Sequence, residues 1–155
     1  MQNKLMEVRV VQKVLEAVDI CSLELASVSG EPLPPFSAGA HIDLHIGGFV
    51  RQYSLCNNPA QQHRYQVAVL RDPNSRGGSA AVHARLAPEQ IVQISAPRNH
   101  FSLKEDAPHS LLLAAGVGVT PLLSMAERLA DSGAPFTMHY SARSRDRTAF
   151  RRRIE

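Results

Sequence analysis

A change of character near Pro108 limits what this chain can fold into. Ahead of it, short segments rich in Val, Ile and Leu alternate with turn residues, which is the signature of β-structure. Strands are expected over 6–16, 19–26, 41–46, 49–56, 64–71 and 90–95. The stretch HIDLHI at 41–46 alternates polar and apolar side chains, as a half-buried strand does. Gly47-Gly48 follows it and suits a two-residue hairpin turn that needs positive φ. The segment 29–39, SGEPLPPFSAG, holds three prolines and two glycines and reads as loop. One helix interrupts the strands, capped at Ser79 and continued by AAVHARL to Pro88. Six short strands with this punctuation predict a closed antiparallel β barrel.

Beyond Pro108 the pattern is α/β. HSLLLAAG is a short continuous apolar run, expected as a fully buried parallel strand. In the following GVGVTPLLSMAERLADSG, Thr120 is placed as N-cap and Pro121 as the first helical residue. Leu122, Leu123, Met125, Ala126 and Leu129 form the expected buried face, and Gly133 ends the helix. PFTMHYSA reads as a second strand, which completes one βαβ unit, and RSRDRTAFRRRIE reads as the start of the next helix. A linker is expected at about 103–109, with domains over 1–105 and 106–155. The 45 residues from Leu111 to Glu155 are too few to build a core of their own, and two strands leave open edges. They are expected to dock on the barrel or to self-associate, most simply as a homodimer.

Several function classes drop out. The longest apolar run, Leu111 to Val119, is too short to span a bilayer, and no secretory signal opens the chain, so the expected compartment is the cytoplasm. Cys21 and Cys56 are too few for an iron–sulfur cluster or a structural zinc site, and the seven histidines lack any HExxH-like spacing. The net charge of +3 hides an asymmetry: residues 143–155 carry six arginines against Asp146 and Glu155, and the rest of the chain is at −1. With no Trp and 5% aromatic residues, this basic tail lacks the stacking surfaces of a nucleic-acid binder and reads as a solvated helix face.

Three local patterns carry chemistry. Arg76-Gly77-Gly78-Ser79 at a helix start is an anion site: the glycines let backbone N–H groups approach a phosphate, and the helix end adds positive potential. Arg51-Gln52-Tyr53-Ser54 offers a cation, an aromatic face and a hydroxyl on one strand. Strict alternation puts Arg51 and Tyr53 on one face and Gln52 and Ser54 on the other. Gly116-Val117-Gly118-Val119-Thr120-Pro121 follows a buried strand and opens a helix, as a dinucleotide-binding turn does, though it lacks the third glycine.

Taken together in order and spacing, RQYSLCN (51–57), RDPNSRGGSAAVH (71–83), PRNHFSL (97–103) and LLLAAGVGVTPLLSM (111–125) resemble the ferredoxin reductase superfamily. Within it they are similar to the flavin reductases of Rieske-type oxygenases, of the phthalate dioxygenase reductase and vanillate demethylase reductase type. The resemblance runs from about residue 6 to the C-terminus.

This resemblance implies a six-stranded antiparallel flavin-binding barrel followed by an incomplete nucleotide-binding βαβ unit. The flavin would be FMN. Tyr53 would lie along its ring and Ser54 would bond near N5, with backbone contacts from Val67 and Ala68. Arg51, Gly77, Gly78 and Ser79 would hold the phosphate or ribityl chain, with Arg76 nearby. Gly116, Gly118, Thr120 and Pro121 would face NADH or NADPH, and Ser141, Arg143 and the later arginines its adenosine end. Hydride would pass to the flavin without an acid–base side chain, and electrons would leave singly to an iron–sulfur protein or oxygenase component. The alternative is a flavin-binding module without productive NADH binding. The chain departs from the family pattern in having two nucleotide-domain strands instead of about five, and no ferredoxin segment. Locally, Glu89-Gln90 stands where a Gly-Asp turn is usual, and Ala115 where glycine is frequent.

Overall fold

The computed structural model describes residues 4–155. Six strands form one antiparallel sheet: β1 (Met6–Ala17), β2 (Ile20–Ser27), β3 (His41–Ile46), β4 (Phe49–Ser54), β5 (Tyr65–Leu70) and β6 (Ile91–Ile94), in the order β4-β3-β6-β1-β2-β5. Each lies within a few residues of the expected segment. The sheet curls, but it is not a closed barrel. Its edge strands β4 and β5 meet at one bridge, Leu55 to Val67, beside a bond from the Cys56 N–H to the Gln66 carbonyl (2.8 Å). On their other sides β4 pairs with β3 and β5 with β2.

Alternation builds the first core. Ile42, Leu44 and Ile46 of β3 are buried and meet Val8, Val10, Leu23, Leu25, Val67, Val69 and Ile94. The Gly47-Gly48 turn has φ of 54° and 83°, as a type I′ hairpin requires. The 29–39 loop is held down by Tyr65, whose hydroxyl donates to the Pro34 carbonyl and whose ring meets Phe36 edge-on at 5.7 Å.

Helix α1 (Gly78–Arg85) lies against both β4 and β5. Ser79 is not its cap. Gly77, with φ of 110°, precedes the helix, and the buried Ser79 Oγ instead accepts from the Asp72 N–H (3.0 Å) and meets the Ser75 hydroxyl (3.2 Å). The hydroxyl therefore braces the 72–79 loop rather than a helix end.

The second unit is β7 (Ser110–Ala115), α2 (Val119–Ser132) and the parallel β8 (Phe136–Ser141). A 3₁₀ turn over Gly116–Gly118 starts the helical path before Thr120, so Gly118 is the N-cap and Thr120 sits inside the first turn, donating to the Val117 carbonyl (3.1 Å). Pro121 is tolerated there because first-turn N–H groups have no helical acceptor. Gly133 ends α2 with φ of 73°.

Strand β7 is not fully buried. Leu112 and Ala114 face α2, but Leu111 and Leu113 are 58% and 66% exposed, because no layer covers the other face of this two-stranded sheet. The second core also takes in Ile20 and Ala68 of the six-stranded sheet and Ala38 and Cys56 from the loops beside it, so the βαβ unit is docked on the first unit. The C-terminal stretch is no continuous helix. It folds as a 3₁₀ turn (Arg145–Arg147), buried Ala149 and Phe150, and one turn, α3 (Arg151–Ile154). Phe150 adopts φ of 61°, which interrupts the helical path.

Candidate functional site

Strand β4 turns its odd residues toward the core. Arg51 and Tyr53 stand opposite Leu44 and Ile42, and Gln52 and Ser54 opposite Asp43 and His41 on the outer face. Strict alternation therefore holds through this segment, and the Tyr53 and Ser54 side chains lie on different sides of the strand. Arg51 reaches the start of α1. A Cβ on Gly78 would come within 2.7 Å of Arg51 Nε, and one on Gly77 within 3.2 Å of the Phe49 ring. The guanidinium stands over that ring at 5.3 Å and donates to the Val50 carbonyl (2.8 Å). Arg51, Gly77 and Gly78 are thus brought together, where a helix N-terminus adds its positive potential. Arg76 is exposed in the preceding loop.

Tyr53 is half-buried against the first core. Burial pushes its phenol up, Arg51 pulls it back, and Cys21 adds to the rise, so the ring is neutral at ordinary pH. Val67 forms the seam with Leu55, and Ala68 is buried toward the βαβ unit. Between the seam and α1, β4 and β5 are the two edge strands of the sheet and share no ladder, which leaves a gap in the pairing. His83 of α1 reaches the Val69 carbonyl at 2.8 Å.

A second site lies beyond the 71–79 loop. Gly116, Arg143 and Arg147 line a cavity of about 470 Å³ with Leu70, Arg71 and Asn74. It sits at the carboxyl ends of β7 and β8, where open α/β sheets receive ligands. Gly116 has φ of 55°, and a Cβ on Gly116 or Gly118 would meet nothing within 4 Å. Gly118 has ordinary φ, so neither backbone nor packing within this chain demands a glycine there. Ser141 is exposed at the end of β8, its hydroxyl 3.5 Å from the Ala114 carbonyl. Thr120 and Pro121 are buried and do not line this cavity. The later arginines divide: Arg145, Arg151, Arg152 and Arg153 line a different cavity, of about 780 Å³, beside Leu15, Glu16 and Gln66. They are therefore separated from Gly116, which lines the other cavity.

Ser54 lines a third cleft, of about 380 Å³, with His41, Gln52, His100 and Phe101. Burial and the Arg98 charge hold the His41 imidazole below its ordinary pKa. The PRNHF segment is a clip on this side. Arg98 Nη2 donates to both Asp43 carboxylate oxygens (2.8 Å each), and Asn99 Nδ2 donates to Ser37 Oγ (2.6 Å) and the Ala38 carbonyl (3.0 Å). Gly39 is required here, since a Cβ would stand 1.9 Å from the Phe101 carbonyl oxygen.

Three residues around these sites carried no readable signal: Phe49 beneath Arg51, Lys13 and His83. Lys13 donates to the carbonyls of His83 (2.5 Å), Leu86 (2.8 Å) and Val82 (3.4 Å) at the end of α1. Its partners lie about seventy residues away, which no local pattern encodes. Among the described residues, no group of three or more His, Cys, Asp or Glu side chains is placed to hold a metal ion, and no helix is long and apolar enough to cross a membrane.

No protein-family model matches the chain. Individual proteins do. Vanillate O-demethylase oxidoreductase of Pseudomonas putida is 56% identical over 146 residues, 94% of this chain and 46% of that protein. Phthalate dioxygenase reductase of Burkholderia cepacia is 40% identical over 151 residues, 96% of this chain and 47% of that protein. A solved phthalate dioxygenase reductase, described as a modular structure for electron transfer from pyridine nucleotides to [2Fe-2S], superposes with a TM-score of 0.96 at 39% identity, covering 99% of this chain and 48% of that one. The chain spans about half the length of the curated relatives it matches. Over nearly all of its own length the chain is similar in sequence and fold to vanillate O-demethylase oxidoreductase and phthalate dioxygenase reductase.

Proposed function

We propose that this chain, alone or within a longer protein, is an FMN-dependent NAD(P)H oxidoreductase that serves as the reductase component of a Rieske-type aromatic-ring oxygenase or demethylase. The observation that carries this reading is the meeting of Arg51 with Gly78 at the N-terminus of α1, beside the opening between two sheet edges. The donor set suits a phosphate: a guanidinium, first-turn N–H groups without helical acceptors, and a positive helix end. The parted strand edges suit a planar ring, because they offer backbone donors and acceptors to its polar rim.

FMN, when bound, supplies the chemistry of accepting a hydride and releasing electrons singly. This chain's own residues bind and orient. Arg51, Gly77, Gly78 and the Ser79 N–H hold the phosphate end, and Arg76 adds charge at the rim. Tyr53 presents a neutral aromatic face, Val67 and Ala68 bound the opening, and Ser54 stands at its outer margin. Gly116, Gly118 and Arg143, with Ser141 at the strand end, receive the nicotinamide nucleotide. Thr120 and Pro121 shape the turn from within. We assign residues 1–105 to the flavin unit and 106–155 to the nucleotide unit. The electron acceptor is an iron–sulfur protein or the oxygenase component, and the setting is cytoplasmic.

The test is a visible spectrum of the purified protein with FMN, then with NADH without oxygen. Flavin bands that shift on binding and bleach on NADH support the reading; absence of FMN binding removes it. The bare face carrying Leu111 and Leu113 favours a second reading, in which the chain pairs as a homodimer through this face and binds flavin without using NADH productively. Bound FMN that NADH does not bleach, in a protein that sediments as a dimer, selects it.

A further inference from the structure

Arg153 stands apart from Arg51 and from Gly116, yet it joins three elements. From α3 its Nε and Nη2 donate to Glu127 Oε1 of α2 (3.1 and 2.9 Å), and Nη1 donates to Gln66 Oε1 of β5 (3.0 Å). Nη2 also donates to the Cys56 carbonyl. The side chain is 24% exposed, and its guanidinium lies 5.8 Å from the Phe150 ring centre.

Two of these partners flank the seam of the sheet. Cys56 and Gln66 are joined by the 2.8 Å backbone bond next to the Leu55–Val67 bridge. Arg153 binds the carbonyl of one and the side-chain amide of the other, so it ties the seam together from outside. Glu127 fixes the guanidinium in turn, and charge-assisted bonds of this kind hold their geometry firmly.

We propose that Arg153 is a positioning residue that clamps the β4–β5 seam, sets the width of the opening where a flavin ring is received, and couples that opening to α2 and the C-terminal segment. The flavin part rests on the reading in the preceding subsection; the seam part does not. Because the clamp acts on the ring end, its loss weakens FMN and riboflavin alike, whereas changes at Arg51 or Gly78 weaken FMN selectively.

The experiment uses the full chain with Arg153→Met, Arg153→Lys and Gln66→Ala, the last leaving α3 tied through Glu127. Amide hydrogen exchange by NMR is read at Cys56 and at Val10 and Leu23 in the first core, and riboflavin and FMN affinities are measured. With Arg153→Met, exchange at Cys56 is expected to rise about tenfold while Val10 and Leu23 are unchanged, as for a local opening. Both flavin affinities are expected to fall together by about fivefold, from a site whose competent form is less populated. Arg153→Lys restores part of both, and Gln66→Ala gives a smaller rise at Cys56. Unchanged Cys56 exchange, or an equal rise at all three amides, overturns the clamp. A wild-type chain that binds neither FMN nor riboflavin while Cys56 still responds sinks the flavin reading and leaves the seam role standing.

Discussion

The Arg51 side chain lies across the backbone of Gly78, with Nε placed 2.7 Å and Cγ 2.9 Å from where a Cβ would stand. A side chain at 78 must push the guanidinium away from the α1 N-terminus, although Gly78 has ordinary helical backbone and the helix itself tolerates alanine. Gly78→Ala is therefore expected to leave folding stability within ~1 kcal/mol of wild type, since the helix gains what the displaced contact loses. FMN affinity is expected to fall by about tenfold, the worth of one charge-assisted bond, with little change for riboflavin. Arg51→Met should show the same selectivity. Titration with both flavins checks this, and equal loss for the two would refute a phosphate role.

Lys13 gathers three carbonyls at the end of α1. An ammonium there satisfies orphan acceptors and complements the negative helix end. Lys13→Met is expected to cost about 2 kcal/mol, the range for hydrogen bonds to a charged group. Urea denaturation measures this, and Lys13→Arg should recover part of the loss. An effect below the error of the method would mean that water replaces the ammonium.

Glu89 holds φ of 77° in the turn before β6, between the Glu89 N–H bond to the Val10 carbonyl and the Val10 N–H bond to the Gln90 carbonyl. The turn has kept a left-handed shape with a non-glycine residue. Glu89→Gly is expected to raise stability by ~1 kcal/mol by relieving that strain. Its ion pair with Arg9 is exposed and contributes little. Glu89→Ala keeps the strain and removes the pair, so thermal melting of the two variants separates the contributions. A gain with alanine as large as with glycine would count against backbone strain.

Burial pushes the Cys56 thiol from about 9 up to about 12, with Arg153 pulling the other way. The folded state keeps this proton while an unfolded chain releases it, so stability is intact below about pH 9 and is lost as pH rises toward 12. Burial also pushes the Tyr65 phenol up, in the same direction. The urea midpoint should fall between pH 9 and 11, and less steeply in Cys56→Ala. Thiol reagents at pH 8 should label Cys56 only in denaturant; prompt labelling of the native protein would contradict this.

Much of the fold is legible locally. The alternation in HIDLHI, the Gly47-Gly48 turn and the stop at Gly133 are each written within a few residues, because pleat, turn and helix end are short-range properties. Where local rules misplace a residue, a neighbour intervenes. Thr120 loses the cap to a 3₁₀ turn just upstream, and Ser79 turns its hydroxyl to Asp72 instead.

The order of residues along the chain was enough to mark β-rich and α/β regions, to single out Arg51, the glycine pair and Gly116, and to connect them to one group of reductases. It did not show that the sheet stays open between β4 and β5, that Leu111 and Leu113 face outward, or that the terminal arginines split between two cavities. Those outcomes depend on contacts such as Arg153 with Gln66, 87 residues apart, and Lys13 with Leu86, 73 apart. Periodicity reports which face of an element is apolar. Only packing decides what, if anything, comes to cover that face, since that is settled by the joint free energy of distant segments and not by either one alone.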